Sequence, residues 1–196
     1  MSLNRLPSDI HALYEIHEWR HASAILETDF SKEFHEIMEV LRKFRLCKSF
    51  ISTPGGRKSG VSATLDSAFY AKGWEEKSFD AGIMIDGKKF ETPTHAVDCY
   101  KNRIALEIEW NNKDTFYDRD LNNFRLLFEL RIISMGIIVT RCDELHEIFD
   151  QLGRGSHYRA STTHMGKLLP KIEGGGAGGC PLLIFGMKPQ LFDEEC

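Results

Sequence analysis

The amino-acid sequence predicts an α/β fold, a mixed β-sheet sandwiched by helices, and three observations carry that expectation. Apolar residues recur at helical spacing around Phe34 and again around Leu121. Short apolar runs bounded by turn residues stand at Met135–Thr140 and Pro181–Met187. One stretch, Val97 to Lys113, alternates residue by residue. The order helix, helix, strands, helix, strand, helix, strand, with no internal repeat, is that of a mixed sheet covered by helices.

The elements follow in chain order. His11 to Ile25 mixes apolar and charged residues in strand-like alternation and is read as one or two strands. Asp29 or Ser31 can cap a helix through about Arg45, whose buried stripe is Phe34, Ile37, Met38 and Leu41. Its basic C-terminal end suits the helix dipole. STPGGRKSG (52–60) is a loop by composition. It lacks the GxxxxGK(S/T) of a phosphate loop, so nucleotide binding is rejected there. Arg57 and Lys58 either close over a DNA backbone or belong to a plain surface loop. Ser62 is expected to cap a helix ending near Gly73, and Phe79 to Asp86 reads as a strand closed by an Asp86-Gly87 turn. After Asp114 come a helix from Tyr117 to Ile132, the Met135 strand, a helix near Asp143 to Leu152, and a polar irregular stretch from Gly153 to Lys167. A glycine loop at 174–179 precedes the last strand.

Composition narrows the class. At 196 residues, 42% hydrophobic and 28% charged, the chain is expected to form one globular domain over 1–196. No apolar run reaches membrane-span length, and MSLNRLPSDI lacks the plan of a secretory leader, so a cytoplasmic protein is expected. Cys47, Cys99, Cys142, Cys180 and Cys196 are scattered and odd in number, which predicts a reducing compartment with neither disulfide frame nor zinc site. Cys99 reads as core. A net charge of −4 counts mildly against DNA binding, although a local basic surface can still face phosphate.

The chemistry concentrates in Val97–Lys113. Ile104, Leu106, Ile108 and Trp110 form one face of a strand; Arg103, Ala105, Glu107 and Glu109 form the other. A turn at Lys101-Asn102 folds Asp98 back beside the glutamates. Most Glu-x-Glu strands merely have one solvated face. The alternative is that a hard divalent cation offsets the repulsion among the clustered acids.

Several segments together resemble the BglII/BstYI-type restriction endonucleases of the PD-(D/E)xK nuclease superfamily. Asp98 is followed nine residues later by Glu107 and then, one residue beyond, by Glu109. NRIALEIEWNNK resembles the family's active-site strand, and SATLDSAFYAKGWEE resembles its helix with a closing KGW. The 117–152 helix-strand-helix and GGGAGGCPLLIFGM at 174–187 match in order and spacing, so the resemblance spans nearly the whole chain. Glu109 departs from BglII-type members, which carry Gln there, and agrees with BamHI-like relatives. The lysine of the general motif is absent from that position.

The resemblance implies a type II site-specific deoxyribonuclease that hydrolyses double-stranded DNA with Mg²⁺. It implies Asp98 and Glu107 as ligands, with the Ile108 carbonyl as a further donor. Glu109 would orient or deprotonate the attacking water, or help hold a second metal. Glu91 is a candidate additional acid, against the plainer reading of a solvated glutamate. Asn111 and Asn112 stand where the family places base contacts, and an Asn can pair with adenine N6 and N7; an Asn-rich turn is the other reading. Lys113 is a phosphate contact or a surface lysine. Ser156, His157, Tyr158, Arg159, Thr162, Thr163 and His164 form a second candidate DNA-binding patch. His95 is expected to pack rather than carry a proton. One site per chain implies a homodimer on a short palindrome, GATC-centred by resemblance. Two other readings are a structure-specific or repair nuclease of this fold and a non-catalytic DNA-binding protein with a vestigial acidic site.

Overall fold

A computed structural model describes residues 2–53, 58–92 and 95–196. The strands are β1 (Tyr14–Trp19), β2 (Leu46–Cys47), β3 (Glu75–Lys77), β4 (Ala81–Ile85), β5 (Lys88–Thr92), β6 (Val97–Lys101), β7 (Ile104–Ile108), β8 (Met135–Arg141), β9 (Leu182–Met187) and β10 (Phe192–Asp193). The α-helices are α1 (Ser8–Leu13), α2 (Ala22–Asp29), α3 (Ser31–Lys43), α4 (Lys48–Ser52), α5 (Gly60–Tyr70), α6 (Phe116–Glu129), α7 (Leu145–Gln151) and α8 (Met165–Glu173). Six strands form one mixed sheet in the order β1-β9-β8-β7-β6-β3. β7, β8 and β9 run parallel, while β1, β6 and β3 pair antiparallel at the sides.

Strand alternation sorts the apolar residues into two cores. Leu106, Ile108, Ile137, Val139, Leu183 and Phe185 face a layer containing α1 to α5 and α7. Ala105, Ile138, Leu182 and Ile184 face α6 and α8. The expected helix-covered sheet is therefore present. β7 and β8 are buried along their whole length, so backbone placement near Glu107 is set by packing on both sides.

Several local expectations change. Residues 11–25 supply one strand flanked by helices: Arg20 and His21 turn in left-handed conformations (φ 56° and 57°) and end β1, and Ala22, Ser23 and Leu26 then bury a helical stripe. Ser59, not Ser62, caps α5, its side chain accepting from the Ser62 N–H at 3.0 Å. The β6–β7 turn sits one residue later than expected, with Asn102 and Arg103 both at positive φ (45° and 68°) and Lys101 opposite Ile104. The polar stretch after Gly153 gives way to a helix, α8, buried through Met165, Leu168 and Ile172 despite an internal Pro170. Asp86-Gly87 turns the β4–β5 hairpin as expected, but this hairpin forms its own small sheet.

The cysteine expectation is corrected. β10 pairs in parallel with β2, bringing Asp193 opposite Cys47, and Cys47 is bonded to Cys196. Two cysteines 149 residues apart meet because the C-terminal segment docks beside β2, a long-range contact that spacing does not announce. Cys99, Cys142 and Cys180 are free and buried. Among the described residues, no helix is long and apolar enough to cross a membrane.

Candidate active site

The tight Asn102-Arg103 turn fixes the register of β6 on β7, pairing Cys99 with Leu106. The next step sets Asp98 against Glu107. Their bonding is reciprocal: the Asp98 N–H donates to Glu107 Oε2 at 3.3 Å, and the Ile108 N–H donates to Asp98 Oδ2 at 3.0 Å. Glu109 continues beside β8, its N–H donating to the Val139 carbonyl at 2.9 Å. Its carboxylate accepts from Asn112 Nδ2 at 2.8 Å and from the Arg119 guanidinium at 3.4 Å.

Asp98, Ile108, Glu109, Asn111 and Asn112 line a cleft of about 940 Å³. Glu107 lies beneath it, 1% exposed, with Oε1 buried and without a hydrogen-bond partner. The acidic face is thus no solvated strand surface. Two acids that strand spacing does not reveal join it. Asp120 on α6 is fully buried, is ion-paired with Arg119 at 2.8 Å, and lies within hydrogen-bond reach of the Glu109 carboxyl. Asp66 on α5 lines the same cleft and is bonded by the Cys99 thiol at 3.6 Å. Both had a sequence signal: each acid sits on the apolar stripe of its helix, Asp120 beside Leu121 and between Tyr117 and Phe124, Asp66 beside Leu65 and one turn before Phe69. Glu76, just past the KGW segment, is a further acid at the cleft.

The electrostatics follow from burial. Desolvation raises the Asp98, Asp120 and Asp66 carboxyls above the ordinary range, and repulsion from Asp98 adds to the rise of Asp66 and Asp120. Glu107 is pushed well up by burial, then by Asp120 and Asp98. Glu109 is raised to about 9, again by burial first and then by Asp120.

The sequence profile of the restriction endonuclease BglII/BglIII family matches residues 14–187, most of the chain. The chain belongs to the BglII/BglIII restriction endonuclease family. No individual curated protein matches it. Membership makes it a nuclease, with DNA as substrate and site-specific hydrolysis as reaction.

In this endonuclease the segment after the acids is tied to the 155–164 loop. Asn112 and Thr163 exchange two bonds, Asn112 N–H to Thr163 Oγ1 at 3.2 Å and Thr163 N–H to the Asn112 carbonyl at 2.9 Å. Lys113 bridges Thr162, and Asn111 Nδ2 donates to the His157 carbonyl at 3.3 Å. Arg141, 2% exposed at the end of β8, donates to Thr162 Oγ1 at 2.8 Å. The loop residues separate into two groups. Tyr158 is buried, stacked on Phe149 at 4.0 Å and edge-on to Trp110 at the wall of the cleft, and Thr163 is fully buried. Ser156, His157, Arg159, Asn112 and Lys113 are exposed, while Asn111 and Thr162 are partly so. His164 is bonded to Asp143. His95 lies at the cleft with its ring held below the usual histidine range by burial, then by Arg119. Arg57 and the Glu91 side chain, both considered above, lie outside what the structure describes.

The donor set fits a hard divalent cation. Asp98 and Glu107 offer carboxylate oxygens, and Glu107 Oε1 is an orphaned buried acceptor. Among the described residues no three acidic, histidine or cysteine side chains are arranged around a common point. Mg²⁺ does not require three, because it commonly takes one or two carboxylates and completes its shell with waters and substrate phosphate.

Proposed function

We propose that this endonuclease cuts both strands of a short palindrome, GATC-centred, as a Mg²⁺-dependent homodimer acting in the cytoplasm. The observation that carries the catalytic part is the orphaned Glu107 Oε1 beside Asp98 at the base of the cleft. A buried acceptor left without a donor costs about 1–3 kcal/mol, more when charged, and a bound cation removes that cost. Asp98 and Glu107 hold Mg²⁺, with the Ile108 carbonyl as a further oxygen donor. When bound, the cation supplies charge stabilisation at the scissile phosphate and lowers the pKa of a coordinated water.

The other side chains orient the reaction. Glu109, held by Asn112 and Arg119, faces the cleft where it can align the attacking water or take its proton. Water oxygen adds to phosphorus as the opposite P–O bond breaks. One acidic set per chain serves one strand, so cutting a duplex calls for a second copy across a two-fold axis.

Digestion of a sequenced plasmid with Mg²⁺, followed by mapping of the ends, is expected to give discrete fragments sharing one palindrome. Smearing, or cleavage confined to branched junctions, would overturn site-specific cutting.

Asn111 and Asn112 are proposed base readers, with Lys113 and the exposed side of the 156–164 loop, through Ser156, Arg159, Thr162 and His164, on the backbone. Asn112 also holds Glu109, so it joins recognition to chemistry. Asn112→Ala is expected to lower the cleavage rate and to relax sequence preference by about 1–3 kcal/mol of base discrimination. A uniform loss of affinity on all DNA, with preference intact, would show a phosphate contact instead.

A further inference from the structure

The cleft is lined by four acids, Asp66, Glu76, Asp98 and Glu109, but faces a polyanion, and one cation is seated among them in a way the family reading does not require. Lys58 approaches from the segment before α5, and its ammonium is ion-paired with Asp66. The Asp66 side chain is 4% exposed, whereas that of Lys58 is 52% exposed. Both line the cleft that contains Asp98. Asp66 is itself fixed: its helix is packed through Val61, Leu65 and Phe69, and Cys99, the neighbour of Asp98 on β6, donates its thiol to Asp66 Oδ1. Tyr70, one turn along α5, donates to the Asp98 carbonyl at 3.0 Å and lies under the Lys58 ammonium at 6.0 Å.

Resting on the nuclease reading above, we propose that Lys58 contacts a DNA phosphate at the acidic cleft and that Asp66 is the positioning residue that holds it there. The general motif of this superfamily places a lysine two residues beyond its second acid, where this chain has Glu109. Lys58 brings a positive charge to the same cleft from another direction. Arg119, the cation on the Glu109 side, has two carboxylate partners, Glu109 and Asp120, and is 34% exposed. Lys58 has more exposed surface and an ammonium with three donors, of which the ion pair with Asp66 uses one. A phosphate entering the cleft can therefore take a hydrogen bond from Lys58 without breaking the Asp66 pair. Burying an aspartate beside Asp98 is costly by itself, and the arrangement becomes intelligible if Asp66 anchors a cation where backbone charge arrives.

The test uses the full chain with Lys58→Gln, Lys58→Arg, Asp66→Asn and the Lys58→Gln/Asp66→Asn double variant. Plasmid cleavage is measured with enzyme in excess and Mg²⁺, and binding to a linear plasmid fragment is followed against salt with Ca²⁺. Lys58→Gln is expected to lower the cleavage rate on the order of 10²-fold. It should also reduce the salt slope of binding by roughly 0.9 per DNA strand contacted. Lys58→Arg should restore most of both. Asp66→Asn should lower the rate, and the double variant should be no worse than Lys58→Gln alone, since Asp66 acts through the lysine. Wild-type rate and slope in Lys58→Gln would overturn the contact. Additive losses in the double variant would overturn the positioning role. If the unaltered chain binds but never cuts, the nuclease reading falls, while the salt slope still decides whether Lys58 meets phosphate.

Discussion

Asp98→Ala and Glu107→Ala are each expected to lower DNA cleavage by a factor on the order of 10³ or more while leaving DNA binding measurable. The two carboxylates share one end of the hairpin and bond to each other's strand, so removing either dismantles the pair that would hold the cation. Metal charge stabilisation supplies several kcal/mol to phosphoryl chemistry, and each ~1.4 kcal/mol is tenfold in rate. Binding should survive because backbone phosphate contacts dominate affinity and are proposed for other residues, Lys58 and the exposed side of the 156–164 loop among them. Glu107 is buried, so Glu107→Gln, nearly the same shape, separates lost chemistry from a lost side chain. Plasmid nicking and linearisation rates, with a binding titration in Ca²⁺, check the expectation. Full cleavage by either alanine variant would remove the pair from the mechanism.

The second large effect is on stability. In the metal-free protein, Glu109 titrates near 9 rather than at its ordinary 4.5, and Glu107 and Asp120 are also raised, all chiefly by burial. Between those values the folded state holds protons that the unfolded chain has released. The slope of unfolding free energy with pH is then negative. The stability these protonated carboxyls contribute is present at pH 4 to 5 and is lost as pH rises toward 9. With metal chelated, Tm is therefore expected to fall between pH 6 and pH 9. Glu109→Gln, which keeps the shape without the charge, should raise Tm at pH 8 by roughly 5 °C, given about 2–4 °C per kcal/mol for a chain of this size. Millimolar Mg²⁺ or Mn²⁺ should raise the wild-type Tm at pH 8 and do less for Asp98→Ala, as expected for a ligand that binds only the folded state. Calorimetry at four pH values is sufficient. A Tm that is flat or rising from pH 6 to pH 9 without metal would contradict this account.

The sequence by itself was enough for the α/β class, the Asp98–Glu107–Glu109 spacing and the apolar row of Leu106, Ile108 and Trp110, because side-chain alternation and helical spacing are local properties. Hairpin turns were legible to within a residue for the same reason. Helix α8 was not, since Pro170 and the polar stretch before it obscure a stripe that matters only once Leu168 and Ile172 meet α6. Tertiary structure alone decided that the glutamate face is buried rather than solvated, because α6 and α8 cover it. It also decided that Tyr158 belongs to the core and that Cys47 is bonded to Cys196. Above all it brought Asp120 and Asp66 from two helices to a pair of strands. Each acid looks like an ordinary break in an apolar stripe until the helix packs on the sheet. Charge repulsion and desolvation act through space, so the strength of this acidic centre is set by which helices close over the hairpin.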